Sequence, residues 1–403
     1  MKFSDRILKV KPSPTLAVSA MSARLKAQGI DVLSFGSGEP DFDTPQNIKD
    51  AAIKAIASGK TKYTPSGGIP ELKKAIADKF RRDNNLDYKL SEIIVNCGGK
   101  HSFYNLMQVL LNDGDEVIIP SPYWVSFPAM TELAGGIPVI IDTDAEADFK
   151  ITPEQLKNSI TPKTRAVVIN SPSNPTGAAY SFNELKALSE VILEAGILAI
   201  SDDIYESIVY GDFKFTSIAN VSEEMRRNTM VLNGVSKSYS MTGWRIGYMA
   251  GDEDIIKMVD TLQGQSTSNP ASISQYAAVE ALSGDQSVVA EMVKAFDRRR
   301  KFVVEGLNSI PGFDCYNPEG SFYVFPKVEE VYKFPGWGKV EEKYNDEYKS
   351  SSLSAYLLEE AKCAVVPGIG FGNDNYFRIS FATSDEILKE GLIRIRGAIE
   401  KLL

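Results

Sequence analysis

A lysine stands in an unusual setting within the segment NGVSKSYSMTGWRIGYMAG, which runs from Asn233 to Gly251. Lys237 follows the apolar run TMVLN, lies among small and hydroxylated residues without an acidic neighbour, and precedes Arg245 by eight positions. Burial and nearby cations lower the pKa of an amine, and an unprotonated lysine amine is a nucleophile. The segment alone is equally compatible with an exposed loop lysine, so other residues must decide.

Three other short segments place polar or glycine residues at the ends of apolar runs. Asp202 ends ILAISD and Tyr205 follows it, which is compatible with a metal site, a helix N-cap or a carboxylate held for a cation. Asn174 in INSPSNPTGAAY is either part of a turn or an amide donor to a bound oxygen. Gly98 and Gly99 in NCGGKHSFYN suit a phosphate at a helix N-terminus or a plain turn, because neither GxxxxGK[ST] nor GxGxxG is present.

Composition narrows the class of protein. The length of 403 residues allows two or three domains, and 43% hydrophobic with 24% charged residues is typical of a globular chain. The net charge of −9 argues against binding to nucleic acid or to an anionic membrane. The N-terminus lacks a signal-peptide pattern, and no run approaches the ~20 apolar residues of a membrane span. We therefore expect a soluble, cytoplasmic protein.

The cysteine and histidine content limits the chemistry. Three widely separated cysteines form neither a disulfide framework nor a zinc-ligand spacing, which favours a reducing compartment. His101 is the only histidine, so a Ser-His-Asp triad or a histidine metal site would depend on one imidazole. We therefore predict no metal, and we expect lysine, tyrosine or a carboxylate to perform any acid–base step.

Seven short apolar runs alternate with amphipathic segments such as HSFYNLMQVLLN and SFNELKALSEVILEAG. Apolar strands separated by helices indicate a mostly parallel sheet covered on both faces. We predict an α/β fold whose large domain spans residues 46–290 and contains seven strands, at 92–97, 115–120, 137–142, 165–170, 197–202, 229–234 and 246–251.

The remainder of the chain mixes helices and strands. A long charged helical segment, VVAEMVKAFDRRRKFVVEGLNSI, precedes GSFYVFPKV, a helix near LSAYLLEEAK, CAVVPG, YFRISFAT and a last helix. We predict a smaller α+β domain formed by residues 1–45 and 291–403. The polar insertion VEEVYKFPGWGKVEEKYNDEYKS, residues 328–350, is predicted to be a surface loop.

Taken together, these residues match the requirements of pyridoxal 5'-phosphate. A glycine turn and an arginine suit its phosphate, a carboxylate suits its pyridinium nitrogen, amide and phenol donors suit its ring oxygen, and a lysine suits its aldehyde. The chain also resembles the class I aminotransferases of pyridoxal-phosphate fold type I, in the aspartate aminotransferase branch with prokaryotic-type sequences. The resemblance covers nearly the whole chain, through FGSGEPDFDTP, KYTPSGGIPELKKAI, GGKHSFYN, SPYWVSFP, NSPSNPTG, SDDIYE, NGVSKSYSMTGWRIGY and YFRISFATS.

The resemblance implies a role for each matching cofactor residue. Lys237 is expected to form the Schiff base and then act as general base, Asp202 to pair with the pyridine nitrogen, and Asn174 and Tyr205 to bond the phenolic oxygen. Lys237, Asp202 and Tyr205 are thus the expected catalytic residues. The remaining cofactor contacts are expected from Gly99, Lys100, Ser236 and Arg245 on the phosphate, Trp124 on the ring, and Tyr63 across a homodimer interface. Gly234 departs from the family, which often has a serine or similar donor there.

The resemblance also implies the substrate contacts. Arg378 is expected to bind the α-carboxylate with both guanidinium nitrogens, helped by a backbone N–H of Gly38, and Trp124 and Asn174 also face the substrate. Lys100, with Ser13 and Thr15, is expected to hold a side-chain carboxylate. We therefore expect transfer of an amino group from L-aspartate to 2-oxoglutarate.

Other functions stay open at this point. Prephenate/glutamate, aspartate/prephenate or aromatic amino acid transamination fits the same residues, and so does β-lyase or decarboxylase chemistry on this fold. An aminotransferase-like regulator would carry an N-terminal DNA-binding domain and a basic surface. Only about forty residues precede the large domain and the net charge is acidic, so this class is disfavoured.

Overall fold

This computed structural model describes residues 2–403, in which helices and strands alternate along much of the chain. The strands are β1 (Leu33–Ser34), β2 (Ile93–Asn96), β3 (Glu116–Ser121), β4 (Ile137–Asp142), β5 (Thr164–Asn170), β6 (Leu198–Asp202), β7 (Thr229–Gly234), β8 (Gly247–Ala250), β9 (Tyr323–Val324), β10 (Cys363–Ala364), β11 (Val366–Pro367) and β12 (Phe377–Ser380).

The helices are α1 (Asp5–Lys9), α2 (Pro14–Ala27), α3 (Gln46–Ala57), α4 (Pro70–Asn84), α5 (Gly99–Leu110), α6 (Ser126–Leu133), α7 (Pro153–Ser159), α8 (Phe182–Ala195), α9 (Glu223–Arg227), α10 (Glu253–Ser266), α11 (Ser272–Ser283), α12 (Ser287–Asn308), α13 (Trp337–Tyr344), α14 (Lys349–Glu360) and α15 (Asp385–Glu400). Short 3-10 helices lie at Leu90–Glu92, Ala145–Ala147, Ile218–Asn220, Thr242–Trp244, Glu329–Lys333 and Gly368–Phe371. Among the described residues, no helix has both the length and the apolar composition needed to cross a membrane.

The seven predicted strands form one sheet, in the order β2-β8-β7-β6-β5-β3-β4. The strands from β3 to β7 pair in parallel, whereas β8 is antiparallel to both of its neighbours. The predicted α/β fold with a mostly parallel seven-stranded sheet is therefore confirmed. Parallel strands end at the same edge of a sheet, so the residues that follow β5, β6 and β7 lie close together.

Both faces of this sheet are covered, which explains why its strands are apolar at successive positions. Val168 belongs to the cluster formed with α5 and α10, whereas its neighbours Val167 and Ile169 belong to the cluster formed with α8. All six positions of β7 are buried. A strand whose odd and even side chains enter two different cores must be apolar throughout.

Residues from both ends of the chain meet outside the central sheet. β1 pairs in parallel with β10, and β12 lies between β11 and β9 in a three-stranded antiparallel sheet. Strands β1, β9, β10 and β12 contribute to a core shared with α12, α14 and α15, whereas Val366 of β11 packs in a separate cluster. The division of the chain into domains at residues 46–290 stays a prediction.

The prediction of a surface loop over 328–350 is wrong. This segment forms a 3-10 helix, Glu329–Lys333, and then α13, and its side chains Val331, Trp337 and Val340 are buried in the core with α14 and α15. The apolar residues recur every three to six positions, so one face of the segment packs inward although most of its residues are polar.

We expect Phe80→Ala to destabilise the fold by about 3–5 kcal/mol, since Phe80 is 0% exposed and packs edge-to-face on Tyr88 and Tyr248 at 5.2 and 5.8 Å between ring centroids. The urea midpoint measures the effect. Phe182→Ala is the control, because Phe182 is 46% exposed and its loss should change stability by about 0.5 kcal/mol or less. Similar losses for both variants would contradict the packing assigned to Phe80.

Candidate active site

A cavity of about 530 Å³ opens where β5, β6 and β7 end and α5 begins. It is lined by the predicted residues Thr15, Gly38, Gly99, Lys100, Trp124, Asn174, Asp202, Tyr205, Ser236, Lys237, Arg245 and Arg378. Ser13 does not line it, although its hydroxyl lies 2.9 Å from that of Thr15. Tyr63 lies on the surface with 91% of its area exposed, so it contributes nothing to the cavity of its own chain.

Lys237 reaches the cavity from the turn that follows β7. Its Nζ donates a hydrogen bond to the backbone carbonyl of Gly38 and lies 6.0 and 5.9 Å from the ring centroids of Tyr205 and Phe322. Burial lowers the pKa of Lys237 to about 8, and the positive charge of Arg378 acts in the same direction. This amine therefore loses its proton more readily than a solvated lysine does.

Asp202 is the last residue of β6, next to Asn170 on β5 and Leu232 on β7. Its Oδ1 accepts the N–H of Ile204 at 3.3 Å. Burial raises the pKa of Asp202 to about 6, and that N–H and the charge of Lys237 act against the rise. The alternative of a metal site finds no support, because residues 2–403 bring together no group of three His, Cys, Asp or Glu side chains able to hold a metal.

The glycine turn before α5 is shaped by close contact with Arg245. Gly98 has φ +94°, and a Cβ there would lie 2.4 Å from the Arg245 guanidinium. Arg245 itself adopts the left-handed conformation, φ 58°, which is uncommon for a residue with a side chain. Its Nη1 donates to the carbonyl of Thr242 at 2.7 Å. A cation is thus held against the N-terminus of a helix, where an anion is favoured.

Gly234, where the family often has a hydroxyl donor, has little room for a side chain. A Cβ at this position would lie 3.0 Å from the carbonyl oxygen of Ile246 and 3.2 Å from Cα of Gly247. The tight pairing of β7 with β8 explains the glycine. Ser236, which is buried, offers a hydroxyl from this turn to the cavity wall.

Arg378 lies in the middle of β12 and is almost completely buried. It donates to Asn174 Oδ1 at 2.8 Å and to the carbonyl of Gly36 at 2.9 Å, while its Nε has no partner among the described residues. Its guanidinium also stacks on the ring of Tyr323, 4.3 Å from the centroid. Burial lowers the pKa of Arg378. A buried arginine with an unused donor and no carboxylate partner is well suited to an anionic ligand.

A further cation, Lys100, lies at the start of α5 and lines the same cavity. Its Nζ is 5.1 Å from the ring centroid of Trp124, and Trp124 packs edge-to-face on Phe127. Partial desolvation and the charge of Arg245 both lower the pKa of Lys100. The cavity therefore holds cations at separate places, with Lys100 beside the ring of Trp124 and Arg378 beside the ring of Tyr323.

The cavity also contains residues that were not predicted. Tyr323 donates or accepts a 3.1 Å hydrogen bond with Tyr205, and burial raises the pKa of both phenols. Asn170 donates to the carbonyl of Asp202 at 3.1 Å and accepts the N–H of Asn174 at 3.0 Å. Asn170 could have been found, because it ends a predicted strand as Asp202 does. Tyr323 could not, because its place depends on the pairing of β9 with β12.

Glu39 and Thr242 also line the cavity without having been predicted. Glu39 Oε2 accepts a hydrogen bond from Thr242 Oγ1 at 2.7 Å. The segment around Glu39 is further held by Arg378 at Gly36 and by Lys237 at Gly38. Because these are contacts between distant parts of the chain, no local pattern indicates them.

The chain is similar to known proteins over nearly its whole length. Residues 30–395 match the family model described as aminotransferase class I and II. An aspartate aminotransferase of Geobacillus stearothermophilus is 53% identical over 400 residues, with 99% of each chain covered. A probable aspartate/prephenate aminotransferase of Rickettsia bellii is 52% identical over 401 residues, also with 99% of each covered. The crystal structure of an aspartate aminotransferase from Rhizobium meliloti has a TM-score of 0.94 and 46% identity, with 100% of each chain covered.

The fold and the cavity define an α/β enzyme whose cavity contains the half-buried Lys237. The resemblance predicted from the motifs is confirmed: this chain belongs to the class I and II aminotransferases, enzymes that transfer amino groups.

We expect Asp202→Asn to make the cofactor-free protein more stable above about pH 6. Burial raises the pKa of this carboxyl from 3.8 to about 6, so its ionisation opposes folding by up to about 3 kcal/mol. The gain from the amide should grow between about pH 4 and pH 6, stay constant above that range and vanish below it. Urea unfolding at several pH values measures it. Asp212→Asn, on an exposed loop, should give no gain, and equal stability of Asp202→Asn and the wild type at about pH 8 would contradict the expectation.

Proposed function

We propose that this chain is a pyridoxal-phosphate-dependent aminotransferase that moves the amino group of L-aspartate to 2-oxoglutarate. The observation behind the substrate class is that the cavity of Lys237 holds, besides Arg245 next to the glycine turn, two further cations, Arg378 and Lys100, on different elements. Two separate cations match a substrate with two carboxylates. The name of the Geobacillus stearothermophilus relative supports the same substrate.

The cavity residues fit pyridoxal phosphate. The carboxylate of Asp202 receives a single hydrogen bond from the described residues, so it retains acceptor capacity for a protonated ring nitrogen. The first N–H groups of α5, at Gly99 and Lys100, point out of the helix beside Arg245, which suits a phosphate. Ser236 adds a hydroxyl to this group.

Each residue then has a proposed task. When bound, pyridoxal phosphate supplies an aldehyde that condenses with amines and a ring that accepts electron density. Lys237 Nζ, in its unprotonated form, takes the proton from the substrate α-carbon, which its lowered pKa favours. Asp202 holds positive charge at the ring nitrogen, Tyr205 and Asn174 donate to the phenolic oxygen, and Trp124 covers the ring.

The substrate is held at both ends. Arg378, which the structure places against Asn174 and Tyr323, binds the α-carboxylate, and the backbone N–H of Gly38 adds a second contact. Lys100, with Thr15 and its neighbour Ser13, binds the side-chain carboxylate. Arginine takes a carboxylate with two parallel bonds and lysine with one, so the two ends are bound differently.

A homodimer completes the proposal. Tyr63 is 91% exposed and lies outside its own cavity, and we assign it to the phosphate of the partner's cavity. Ile53 and Ile56 on α3 are also exposed, at 61% and 54%, which is expected of a surface covered by another subunit. The three free cysteines support a cytoplasmic location.

Transamination of prephenate is the second candidate. Prephenate also has two carboxylates, and the Rickettsia bellii relative is named for both substrates. Comparing aspartate and glutamate as donors to prephenate and to 2-oxoglutarate separates the two functions.

The function is tested by mixing the cofactor-loaded protein with single amino acids and following the loss of the absorbance of the bound cofactor. We expect fast conversion with aspartate and glutamate and slow conversion with alanine and phenylalanine, because only the first pair engages both cations. Lys237→Ala should abolish conversion. Borohydride, which should attach the cofactor permanently to Lys237 in the wild type, should attach none at this position in the variant. Fastest conversion by phenylalanine would contradict the proposed substrate class.

We expect Lys100→Ala to raise KM for aspartate by about tenfold, the equivalent of one charge-assisted hydrogen bond at a partly solvated site. KM for alanine should change little, because alanine has no second carboxylate. Lys73→Ala is the control, since this lysine lies on α4 outside the cavity. Steady-state kinetics with both substrates measures the difference, and an equal loss for aspartate and alanine would count against the role of Lys100.

A further inference from the structure

Glu206 follows Tyr205 directly, but it is buried and does not line the cavity. Its Oε1 accepts hydrogen bonds from Lys79 Nζ and from Asn233 Nδ2, the latter at 2.8 Å, and its Oε2 accepts from Asn84 Nδ2 at 2.6 Å. Lys79 also donates to Asn84 Oδ1 at 2.6 Å. Lys79, Asn84, Glu206 and Asn233 are all less than 9% exposed.

These bonds join α4 and β7 to the turn that follows β6. Lys79 and Asn84 belong to α4, and Asn233 belongs to the end of β7, four residues before Lys237. Glu206 lies in the turn after β6, which is itself closed by the N–H of Glu206 on the carbonyl of Asp203 at 3.0 Å. The turn that places Tyr205 is thus tied through one carboxylate to the strand that leads to Lys237.

Stability alone does not account for this buried pair. A lysine and a glutamate lose their hydration when buried, and well-packed apolar residues of similar size are often as stable. Asp203, Tyr239 and Tyr248 are further titratable groups near Glu206. Burial raises the pKa of all three, and the negative charge of Glu206 acts in the same direction. What the pair provides in addition is a fixed geometry for the turn, since three donors define the position of one carboxylate.

We propose that Glu206 is a positioning residue, which holds Tyr205 at the cavity through its hydrogen bonds to Asn233 and Asn84 and its ion pair with Lys79. This inference rests on the proposed function, because it assigns Tyr205 to the phenolic oxygen of the cofactor. A donor at that oxygen stabilises the phenolate and so lowers the pH at which the absorbance of the lysine-bound cofactor changes. Displacing Tyr205 raises that pH.

Two double variants of the holoenzyme separate hydrogen bonding from charge. Lys79→Met/Glu206→Gln removes both charges but keeps an amide at position 206. Its oxygen can still accept from Asn233, and its NH2 can donate to Asn84 once the Asn84 amide has rotated. Lys79→Met/Glu206→Leu removes the charges and the bonds. We expect the Gln variant to keep the wild-type midpoint of the absorbance titration. The Leu variant should raise it by about one pH unit and lower kcat about tenfold, with little change in KM for aspartate.

The proposal would be overturned if both double variants had the midpoint of the wild type. It would also be overturned if the Gln and the Leu double variants shifted the midpoint equally, since the loss of charge would then be the cause. Asn84→Ala is a milder variant for use if the Leu protein does not fold, and it should shift the midpoint in the same direction by less. Glu184→Gln breaks the ion pair with Lys150 away from the cavity, and it should lower stability without moving the midpoint. A wild type that neither binds the cofactor nor transaminates would refute the proposed function itself.

Discussion

The site depends on a lysine amine that is taken out of water beside another cation. Burial and the charge of Arg378 lower the pKa of Lys237. Burial raises the pKa of Asp202, because it disfavours the charged form of an acid as it does that of an amine. Neither group could be perturbed in this way on an open surface, where water screens charge. The rest of the fold provides the walls that exclude water and the neighbours that define the charge.

The central sheet supplies this environment through its topology. Five parallel strands, β3 to β7, end at one edge, and α5 begins beside them with free N–H groups. The antiparallel strand β8 then brings the chain back from Arg245, whose left-handed conformation places its guanidinium against Gly98. An amine, a carboxylate and a helix N-terminus therefore share one cavity although they come from distant parts of the chain.

The proposed selectivity for the substrate depends on residues from a different part of the chain. Arg378 comes from β12, and it is held by Asn174, which follows β5, and by the backbone of Gly36. Lys100 comes from α5, so the distance between the two cations reflects how the short strands near both chain ends rest against the central sheet. A substrate that bridges both cations thus senses the relative placement of two groups of elements.

Local sequence determined much of the protein: the seven strands, the long helices and the residue types at the strand ends are visible because strand and helix periodicity and polar strand termini are local properties. Motif resemblance added the prediction of further residues that line the cavity, including Asn174 and Arg378, which a turn or a strand pattern does not explain. Only the tertiary structure placed Tyr323 against Tyr205 and Arg378, buried one face of the segment 328–350, and joined Glu206 to Lys79 and Asn233. These contacts connect residues far apart in the chain, and their energies arise from packing and desolvation after folding, so no local pattern encodes them.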